Sequence, residues 1–428
     1  MAINGEAGFI EKTFWANVEG YSGETLTTII ETGLRLKCLV DPRMHFRFLR
    51  TKAPVNGHLT RQSTTICIFV LMAKGKISQF ILNALGGLRD AGIDVIIVNN
   101  SNAAPAVKDT LLKYCYQYIQ RANIGRDFGA FKDVLPIAEA QSPDRILLLN
   151  DSLFYFGDKL AEIFKRLAFS DRDVTGLTDT HEHLYHIQSF AISFNKRVYT
   201  NKYYKAYWNS YVPYSTRKYS IDYGECGLTY MMTQKIGVSV DVVYTAEALA
   251  VILEALPAED LYELVRWMPR VFKNDFADEI AAYANNMLDS DLIAYRRALS
   301  GGEMSDQKVV TGPATVIIDE LGQKTSQIYA QRFEYMRQKF ARDIFDYIAL
   351  RNGMSIGGFA YIKYLQMPML KRDVVYRELY TLPEVHVFLD EIGIDSTLHA
   401  EIMGDLRRKG YPYWLRGMRK FMYIKGML

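Results

Sequence analysis

The feature that most constrains the fold is a repeated alternation of strand-length apolar runs with helical periodicity between residues 64 and 167. Ile66–Leu71 is an uninterrupted apolar run of the length of a buried strand, and apolar residues then recur at helical spacing from Ile77 to Leu88. The same order begins again at Asp94. Strands that alternate with helices build a mostly parallel sheet covered by helices on both faces. The sequence therefore predicts an α/β fold.

Later segments extend this pattern. It predicts strands at Asp94–Val98 and Arg145–Leu149. It also predicts three helices, each marked by apolar residues at helical spacing: Val107, Leu111, Cys115 and Tyr118 in the first, Phe128, Phe131, Leu135 and Ala138 in the second, and Leu160, Ile163, Phe164 and Leu167 in the third. Two further strand candidates, Asp173–Leu177 and Ile187–Phe194, follow without a clear helix between them. The regular winding breaks down there, and the sheet is expected to be mixed.

The 428 residues leave room for more than one domain, since a domain averages roughly 100–200 residues. After about Tyr244 the pattern changes to successive helices. We predict an N-terminal extension at 1–60 packed on the next domain, an α/β domain at 61–245, and a helical C-terminal domain at 246–428 that ends in a basic, aromatic tail.

Composition narrows the functional classes. The 51 Lys and Arg nearly balance the 48 Asp and Glu, so a net charge of +3 gives no field strong enough to recruit nucleic acid. The four cysteines form no CxxC pair, which argues against a zinc ribbon or a secreted disulfide framework. Glu6 and Glu11 stand where a secretory leader would need a basic start. A cytoplasmic protein without a nucleic-acid partner is expected.

Ligands of open α/β sheets bind beyond the carboxyl ends of the strands, and polar clusters follow several predicted strands here. Asn99 and Asn100 end the second strand, and Asn150, Asp151 and Ser152 end the strand that includes Leu149. The first strand is followed by neither GxGxxG nor GxxxxGK[ST]. This argues against dinucleotide redox chemistry and P-loop phosphoryl transfer.

The segment from Asn123 to Lys132 opens a predicted helix. Free backbone N–H groups and Arg126 could bind an anion there, and Asp127 could accept from ribose or base donors. The alternative is structural: Asp127 serves the helix N-terminus and Arg126 pairs on the surface. The position of the segment favours the functional interpretation.

A second signal is the carboxylate that ends a buried strand. Asp151, with oxygens of Asn150 and Ser152 on either side, suits a hard divalent cation such as Mg²⁺ that bridges a diphosphate. In the alternative, Asp151 caps the turn or helix before Phe154.

Histidines cluster at residues 181–186. His186 and Gln188 are two apart on a predicted strand and face the same way, so we assign both to substrate contacts. A zinc site at His181 and His183 is less favoured, because no second ligand pair occurs at a recognisable spacing. The tyrosine-rich stretch 199–223 could form an acceptor-binding lid or pack against the helical part.

Five short motifs occur in a fixed order: NxGRDFGAxK, LLLNDS, GLTD, HxQSFxxxF and ExGLT. They resemble the rhamnan synthesis protein F family, bacterial polysaccharide glycosyltransferases of the GT-A-type fold, and the resemblance covers about residues 64–245. The resemblance implies a nucleotide-sugar site in which the donor contacts are Asn100, Asn123, Arg126, Asp127, Asn150, Asp151 and Ser152.

The resemblance also implies a mechanism. Asn150-Asp151-Ser152 stands where related enzymes carry a DxD metal motif, so Asp151 would be the metal ligand, and the amide at Asn150 weakens the expected dependence on Mg²⁺ or Mn²⁺. Transfer would be inverting, with Glu225, expected at the start of a helix, as the base and Asp179 as the second candidate.

The function expected from this resemblance is transfer of a sugar, a deoxyhexose such as rhamnose, from a nucleotide diphosphate donor to a growing cell-surface polysaccharide such as the O-antigen of lipopolysaccharide. Two alternatives stay open. One is a non-catalytic nucleotide-sugar or glycan-binding subunit of a polysaccharide assembly complex. The other is a membrane-associated scaffold whose helical half does the work.

The tail after Asp405 contains seven basic residues, five aromatic side chains, three methionines and no acid. Such a segment can lie on an anionic membrane, where each basic side chain contributes about 1 kcal/mol. We therefore expect peripheral attachment at the inner face of the cytoplasmic membrane, where a lipid-linked glycan would be the acceptor. A docked helix is the alternative for the tail, and a homo-oligomer is possible.

Overall fold

The computed structural model describes residues 51–182, 184–268, 334–349, 352–376 and 380–409, together with Ile29, Thr32, Gly33 and Leu36. The chain divides into two units. The first comprises Met1–Leu177, His186–Val243 and Gly404–Leu428, and the second comprises Thr178–Tyr185 and Tyr244–Met403. The domain limits expected from the sequence stay a prediction, and most of the extension at 1–60 lies outside the described residues.

The first unit is organised around a nine-stranded sheet with the order β1-β4-β3-β2-β5-β9-β7-β10, in which β8 pairs with β7. Strands β4, β3, β2 and β5 run parallel, whereas β9 is antiparallel to both β5 and β7. The predicted mixed, mostly parallel sheet is confirmed. The strands are β1 Val55–Asn56, β2 Thr65–Leu71, β3 Asp94–Asn99, β4 Gln117–Gln120, β5 Arg145–Asn150, β6 Leu153–Tyr155, β7 Val174–Thr180, β8 His186–Ile187, β9 Ala191–Asn195 and β10 Val240–Tyr244.

Helices connect these strands. Residues 217–236 form one continuous helical segment, α7, which includes the π-helical stretches Ser220–Cys226 and Met231–Ile236. The other helices of this unit are α1 Gln79–Asp90, α2 Pro105–Leu112, α3 Arg126–Glu139, α4 Leu160–Ala168, α5 Lys196–Tyr199 and α6 Lys202–Ser210.

The predicted continuation of α2 to Tyr118 is wrong. The helix ends at Leu112, and Tyr118 lies on β4, which pairs with β3 in the register Ile97↔Tyr118. Cys115 and Tyr118 are buried, so they extended the apolar series of the helix at a spacing that also fits a turn followed by a strand. A four-residue strand is too short to show its own period of two.

The core of the first unit lies where α3 packs on the centre of the sheet. Ile68 and Leu148, on neighbouring strands, are fully buried beside Phe128 and Phe131 of α3. Both faces of β2 are buried, which explains why the strand reads as a continuous apolar run.

The tyrosine-rich stretch completes this core. Trp208 stacks on Phe128 with ring centroids 6.1 Å apart, and Tyr211 lies 5.6 Å from the same ring. The expected packing against the helical part is therefore wrong for these rings. They fill the space left by α3 in the first unit, while Tyr203 and Tyr223 remain exposed.

The second unit is mainly helical, as predicted for the C-terminal part of the chain. Trp267, Phe359 and Phe388 lie in its core, with the ring centroids of Trp267 and Phe359 5.6 Å apart. Its elements are α8 Ala246–Ala255, α9 Ala258–Arg266, α10 at 334–349, α11 Gly353–Ile356, α12 Gly358–Lys363, β11 Met369–Lys371, α13 Arg372–Tyr376, α14 Leu382–Glu391 and α15 Ser396–Lys409, which continues into the first unit. In the part of the chain that is described, no helix combines the length and apolarity needed to cross a membrane.

Replacement of Leu148 by alanine should lower the free energy of unfolding by about 2–5 kcal/mol, because the side chain is completely buried between the sheet and α3. Chemical denaturation measures the loss. Leu59→Ala is the matched control, since Leu59 is 40% exposed and the same truncation there should cost less than about 1 kcal/mol. Equal losses at the two positions would contradict the assignment of the core.

Candidate functional site

The carboxyl ends of the parallel strands hold a network of asparagine side chains. Asn99 is fully buried at the end of β3; its Oδ1 accepts from the backbone N–H of Ala73 at 3.1 Å and its Nδ2 donates to the carbonyl of Ala73 at 2.8 Å. The hydroxyl of Ser101 donates to the Ala73 carbonyl and lies 2.9 Å from Asn99 Oδ1. These bonds fix the loops after β2 and β3 against each other.

Arg121, directly after β4, is a buried cation that the sequence analysis missed. Its guanidinium donates to Asn100 Oδ1 and the Ile124 carbonyl, both at 2.8 Å, and pairs with Asp133 at 2.9 Å. The Nδ2 of Asn100 in turn lies 3.5 Å from the Oδ1 of Asn123. The sequence analysis missed Arg121 because it assigned residues of β4 to a helix. An arginine that directly follows a strand was therefore not recognised.

The entry into α3 is a tight turn. Gly125 and Arg126 both have positive φ angles, 73° and 53°. The Gly125 N–H donates to Ser215 Oγ at 3.0 Å, and Arg126 Nε donates to the Ser215 carbonyl at 3.1 Å. A Cβ at position 125 would lie 2.3 Å from Cβ of Pro213, so only glycine fits. The turn thereby holds Arg126 at the site edge.

Asp127 and Asn150 join α3 to the end of β5. Asn150 is buried and donates from Nδ2 to Asp127 Oδ2 at 2.7 Å, while its own Oδ1 accepts from the Ser152 N–H at 3.0 Å. Tyr155 donates to the Asn150 carbonyl at 2.7 Å. Asp127 therefore faces across to the sheet edge, and Asn150 positions it. No side chain caps the N-terminus of α3.

Asp151 is the second acid of this edge. Its Oδ2 accepts from the Met72 N–H at 3.1 Å, and its own N–H donates to the Val70 carbonyl at 3.1 Å. The side chain is held against the end of β2 and stays partly exposed.

The charges of three carboxylates of the edge act on one another at Asp127. Burial raises the pKa of Asp127 to about 7, and the negative charges of Asp151 and Glu225 add to this increase, while Arg126 and Arg121 oppose it. Uncompensated negative charge thus accumulates at this edge. A cation or a cationic group of a ligand would relieve it.

Glu225 comes from α7. It lies within the π-helical stretch Ser220–Cys226 and not at the start of a helix, so the expected placement is wrong. A Cβ at Gly224 would lie 2.8 Å from the ring of Phe128, so this glycine permits α7 to approach α3 closely.

Two partners hold the Glu225 carboxylate from the sheet side. Ser189 Oγ donates to Oε1 at 2.7 Å, and His186 Nε2 lies 3.4 Å from Oε2. The other ring nitrogen of His186 lies 3.4 Å from Cys226 Sγ. His186 and Gln188 are each only 1% exposed. His186 therefore contacts Glu225 from a buried position, and Ser189, which sequence analysis did not select, lies in the same QSF motif.

Asp179 lies in the second unit. Burial raises its pKa, and Glu247 adds to the increase. The ring of His181 lies 5.2 Å from that of Tyr185, and His183 is outside the described residues. Within the first unit, the charges of Asp151 and Glu225 thus act on Asp127, whereas the pKa of Asp179 responds to Glu247 and His181.

Some of the side-chain oxygens at this edge suit a hard divalent cation. Carboxylate oxygens of Asp127 and Asp151 are the ligands that Mg²⁺ and Mn²⁺ prefer, and their mutual repulsion would fall on binding. Asn150 uses both ends of its amide within the protein. Among the described residues, the group of three metal-ligand side chains whose ligand atoms lie within 4.8 Å of one another is found elsewhere and not at this edge. Phosphate oxygens of a ligand would have to complete the shell.

A known family matches part of this chain. The family model described as rhamnan synthesis protein F matches residues 95–258, which confirms the predicted family over that segment. The chain is also 26% identical over 186 residues to an uncharacterized protein y4gN of Sinorhizobium fredii (strain NBRC 101917 / NGR234). That match covers 42% of this chain and 48% of the relative, so the chain spans about half the length of the relative.

Two solved structures show weaker likeness. One is a glycosyltransferase involved in the glycosylation of the major capsid of PBCV-1, with 13% identity over 41% of this chain and 80% of the other, at a TM-score of 0.25. The second is the glycosyltransferase GlyE of Streptococcus pneumoniae TIGR4, with 9% identity over 66% of this chain and 64% of the other, at a TM-score of 0.27. Likeness at these TM-scores assigns neither a substrate nor a mechanism.

Asp127→Asn should raise Tm at pH 8, and the gain should shrink as the pH falls through 7 towards 5. The pKa of Asp127 is raised from 3.8 to about 7 in the folded state, so the cost of this carboxyl to the folded state grows as the pH rises between these two values and is complete above pH 7. An asparagine removes the charge and keeps an acceptor for Asn150. Thermal denaturation at both pH values measures the difference.

The control for this experiment is Asp109→Asn, which makes the same change at an exposed position on α2 and should show no such pH-dependent gain. An Asp127→Asn gain equal at pH 5 and pH 8 would contradict the raised pKa.

Proposed function

Because residues 95–258 match the rhamnan synthesis protein F family, we propose that this chain is a glycosyltransferase of polysaccharide synthesis. It would transfer a sugar from a nucleotide diphosphate donor to an acceptor hydroxyl. The observation that carries the proposal is that Asp127, which is bonded to Asn150 at the end of β5, interacts electrostatically with Asp151, Glu225 and Arg126, all inside the matched segment. The family description supports a rhamnosyl-type deoxyhexose as the sugar.

The donor would bind at the edge formed by β2, β3 and β5. Arg126 would contact the diphosphate, and Asp127 and Asn100 would accept or donate hydrogen bonds to the nucleoside. Asn123 and Ser152 flank the same edge. Asp151, with Asp127, would hold Mg²⁺ or Mn²⁺ on the phosphate side; such a cation supplies charge neutralisation for the leaving diphosphate.

Glu225 would act as the general base. It would take the proton of the acceptor hydroxyl as that oxygen bonds to the anomeric carbon, while the bond from this carbon to the diphosphate oxygen breaks on the opposite face. Such a single displacement inverts the configuration. Ser189 and His186 would hold the carboxylate in one orientation, since each contacts a different oxygen of Glu225. Asp179 is the second candidate, with a raised pKa of its own.

A non-catalytic nucleotide-sugar or glycan-binding subunit is the second candidate function. The observation that favours it is the amide at position 150, which is engaged by Asp127 and Ser152 and adds no charge for a cation. In that case the edge would bind a donor and Glu225 would contact a sugar hydroxyl without removing its proton.

The acceptor we propose is a lipid-linked glycan at the inner face of the cytoplasmic membrane. The support is chemical: the basic, aromatic sequence after Asp405 matches an anionic lipid surface. The described residues end at 409, so this tail lies almost entirely outside them. A homo-oligomer is compatible with the proposal.

Turnover of a nucleotide sugar should depend on the carboxylates. Purified protein is incubated with a panel of nucleotide sugars and lipid-linked acceptor, with and without Mg²⁺ or Mn²⁺, and nucleoside diphosphate release is measured. Glu225→Gln should reduce release by at least about 100-fold, because it removes the base. Asp151→Asn should reduce it as well and should weaken the response to metal.

The matched controls are Glu162→Gln, an exposed change on α4, and Asp109→Asn on α2, both of which should keep full activity. Donor binding without turnover in the wild type would reject the transferase and favour the binding subunit. Full activity of Glu225→Gln would reject this residue as the base.

Truncation after Asp405 should abolish co-sedimentation with vesicles that contain anionic lipid, because it removes the basic residues expected to contact the head groups. The full chain should sediment with these vesicles and not with neutral ones. Substitution of the basic residues from Arg416 onwards by glutamine is the second variant, since it keeps the chain length. Unchanged sedimentation of both variants would reject the membrane contact.

A further inference from the structure

Two histidines and an aspartate meet on the hairpin formed by α14 and α15 in the second unit. Ligand atoms of His386, Asp390 and His399 all lie within 4.8 Å of one another. The side chains of His386 and Asp390 are each 61% exposed, and that of His399 is 12% exposed. We propose that these three residues form a binding site for a zinc-type divalent cation, in which the two histidines are the ligands and Asp390 orients His399, independently of the proposed sugar-transfer site.

The local fold dictates the convergence. His386 and Asp390 are four residues apart on α14 and therefore share one face of that helix. His399 lies in the first turn of α15, and the connection between the helices passes through Gly393, whose φ is 70°. Asp395 accepts from the Leu398 N–H at 2.9 Å and fixes the start of α15.

The hairpin is rigid beneath the three polar side chains. Phe388, Leu389 and Leu398 are completely buried. Thr381 and Glu384 form a reciprocal capping box at the beginning of α14. The helices therefore present their ligands in a fixed relation, which lowers the entropic cost of binding an ion.

The hydrogen bonds of the cluster orient the lone pairs towards one point. His399 Nδ1 lies 3.0 Å from Asp390 Oδ1, so this nitrogen donates to the carboxylate and the lone pair of His399 is on Nε2. That Nε2 lies 2.7 Å from His386 Nδ1, and the two nitrogens share one proton. Asp390 Oδ2 lies 3.6 Å from the same His386 nitrogen.

Binding of a cation would replace the shared proton. His386 would move its N–H to Nε2, so that Nδ1 and the Nε2 of His399 both offer lone pairs, and no net proton need be lost. At the usual zinc–nitrogen distance of about 2.0–2.1 Å, a tetrahedral site separates two nitrogens by about 3.3 Å, a small opening from the present contact. Asp390 orients His399 from the opposite side of the imidazole ring, as carboxylates beside zinc-bound histidines commonly do.

The donor set selects the metal. Two imidazole nitrogens suit Zn²⁺, Co²⁺ or Ni²⁺, whereas Mg²⁺ prefers an all-oxygen octahedral shell. Two protein ligands leave the other positions for water or for an exogenous ligand. A bound ion would link α14 to α15 and would stabilise the folded state in proportion to its occupancy.

The experiment uses the full chain freed of metal by chelation. Titration with Zn²⁺ in a calorimeter, and with Co²⁺ followed by visible absorption, should show one site with the intense bands of four-coordinate cobalt. His386→Ala, His399→Ala and Asp390→Asn should each weaken binding by more than about tenfold, because even the loss of an outer partner costs roughly 10–100-fold. Mg²⁺ in excess should not compete.

His58→Ala is the matched control, since His58 is exposed and distant from this hairpin in the sequence, and it should bind Zn²⁺ as the wild type does. His181→Ala tests the other histidine cluster. Zn²⁺ should also raise the Tm of the wild type and of His58→Ala but not that of Asp390→Asn, a surface variant that keeps its shape. Failure of the wild type to bind, or wild-type affinity in the His386, His399 and Asp390 variants, would overturn the proposal, whatever the donor screen shows.

Discussion

The buried guanidinium of Arg121 is the interaction on which the candidate site depends. A positive charge at 3% exposure is costly unless it is paired and hydrogen-bonded, and the terminal nitrogens of Arg121 bond to Asn100, the Ile124 carbonyl and Asp133. These partners come from the end of β3, from the turn before α3 and from α3 itself. The guanidinium of Arg121 therefore links the sheet edge to the helix that carries Asp127.

That link explains how negative charge can be concentrated nearby. Asp127 is held by Asn150, Asp151 by the Met72 N–H, and Glu225 by Ser189, so each carboxylate is fixed by a different strand end or loop. The backbone and amide donors stabilise each charge individually, but they do not remove the repulsion among the three. The edge is thus organised before a ligand arrives, and its remaining imbalance favours a ligand that brings positive charge.

The sequence predicted the parts of the molecule whose apolar pattern is long. Ile66–Leu71 and Leu147–Leu149 are buried on both faces of the sheet, and their continuous apolar runs identified the central strands and the polar residues that follow them. The pattern failed where elements are short or irregular. Cys115 and Tyr118 extended a helical series across β4, which concealed Arg121. The π-helical stretch around Glu225 has no periodic signature, because it depends on the close contact between Gly224 and Phe128.

The two candidate cation sites offer different ligand atoms and would therefore bind different metals. The edge in the first unit offers oxygen from Asp127 and Asp151, and it needs phosphate oxygens to complete a shell, so a cation there would be bound together with its ligand. The hairpin in the second unit offers nitrogen from His386 and His399, with an orienting carboxylate already in place, so a cation there needs no substrate. Since a hard ion prefers the first donor set and a borderline ion the second, occupancy of one site need not follow that of the other. If activity requires a metal, the identity of that metal would therefore show which of the two sites it occupies. Activity that is retained after removal of zinc alone would assign the functional cation to the edge of the sheet.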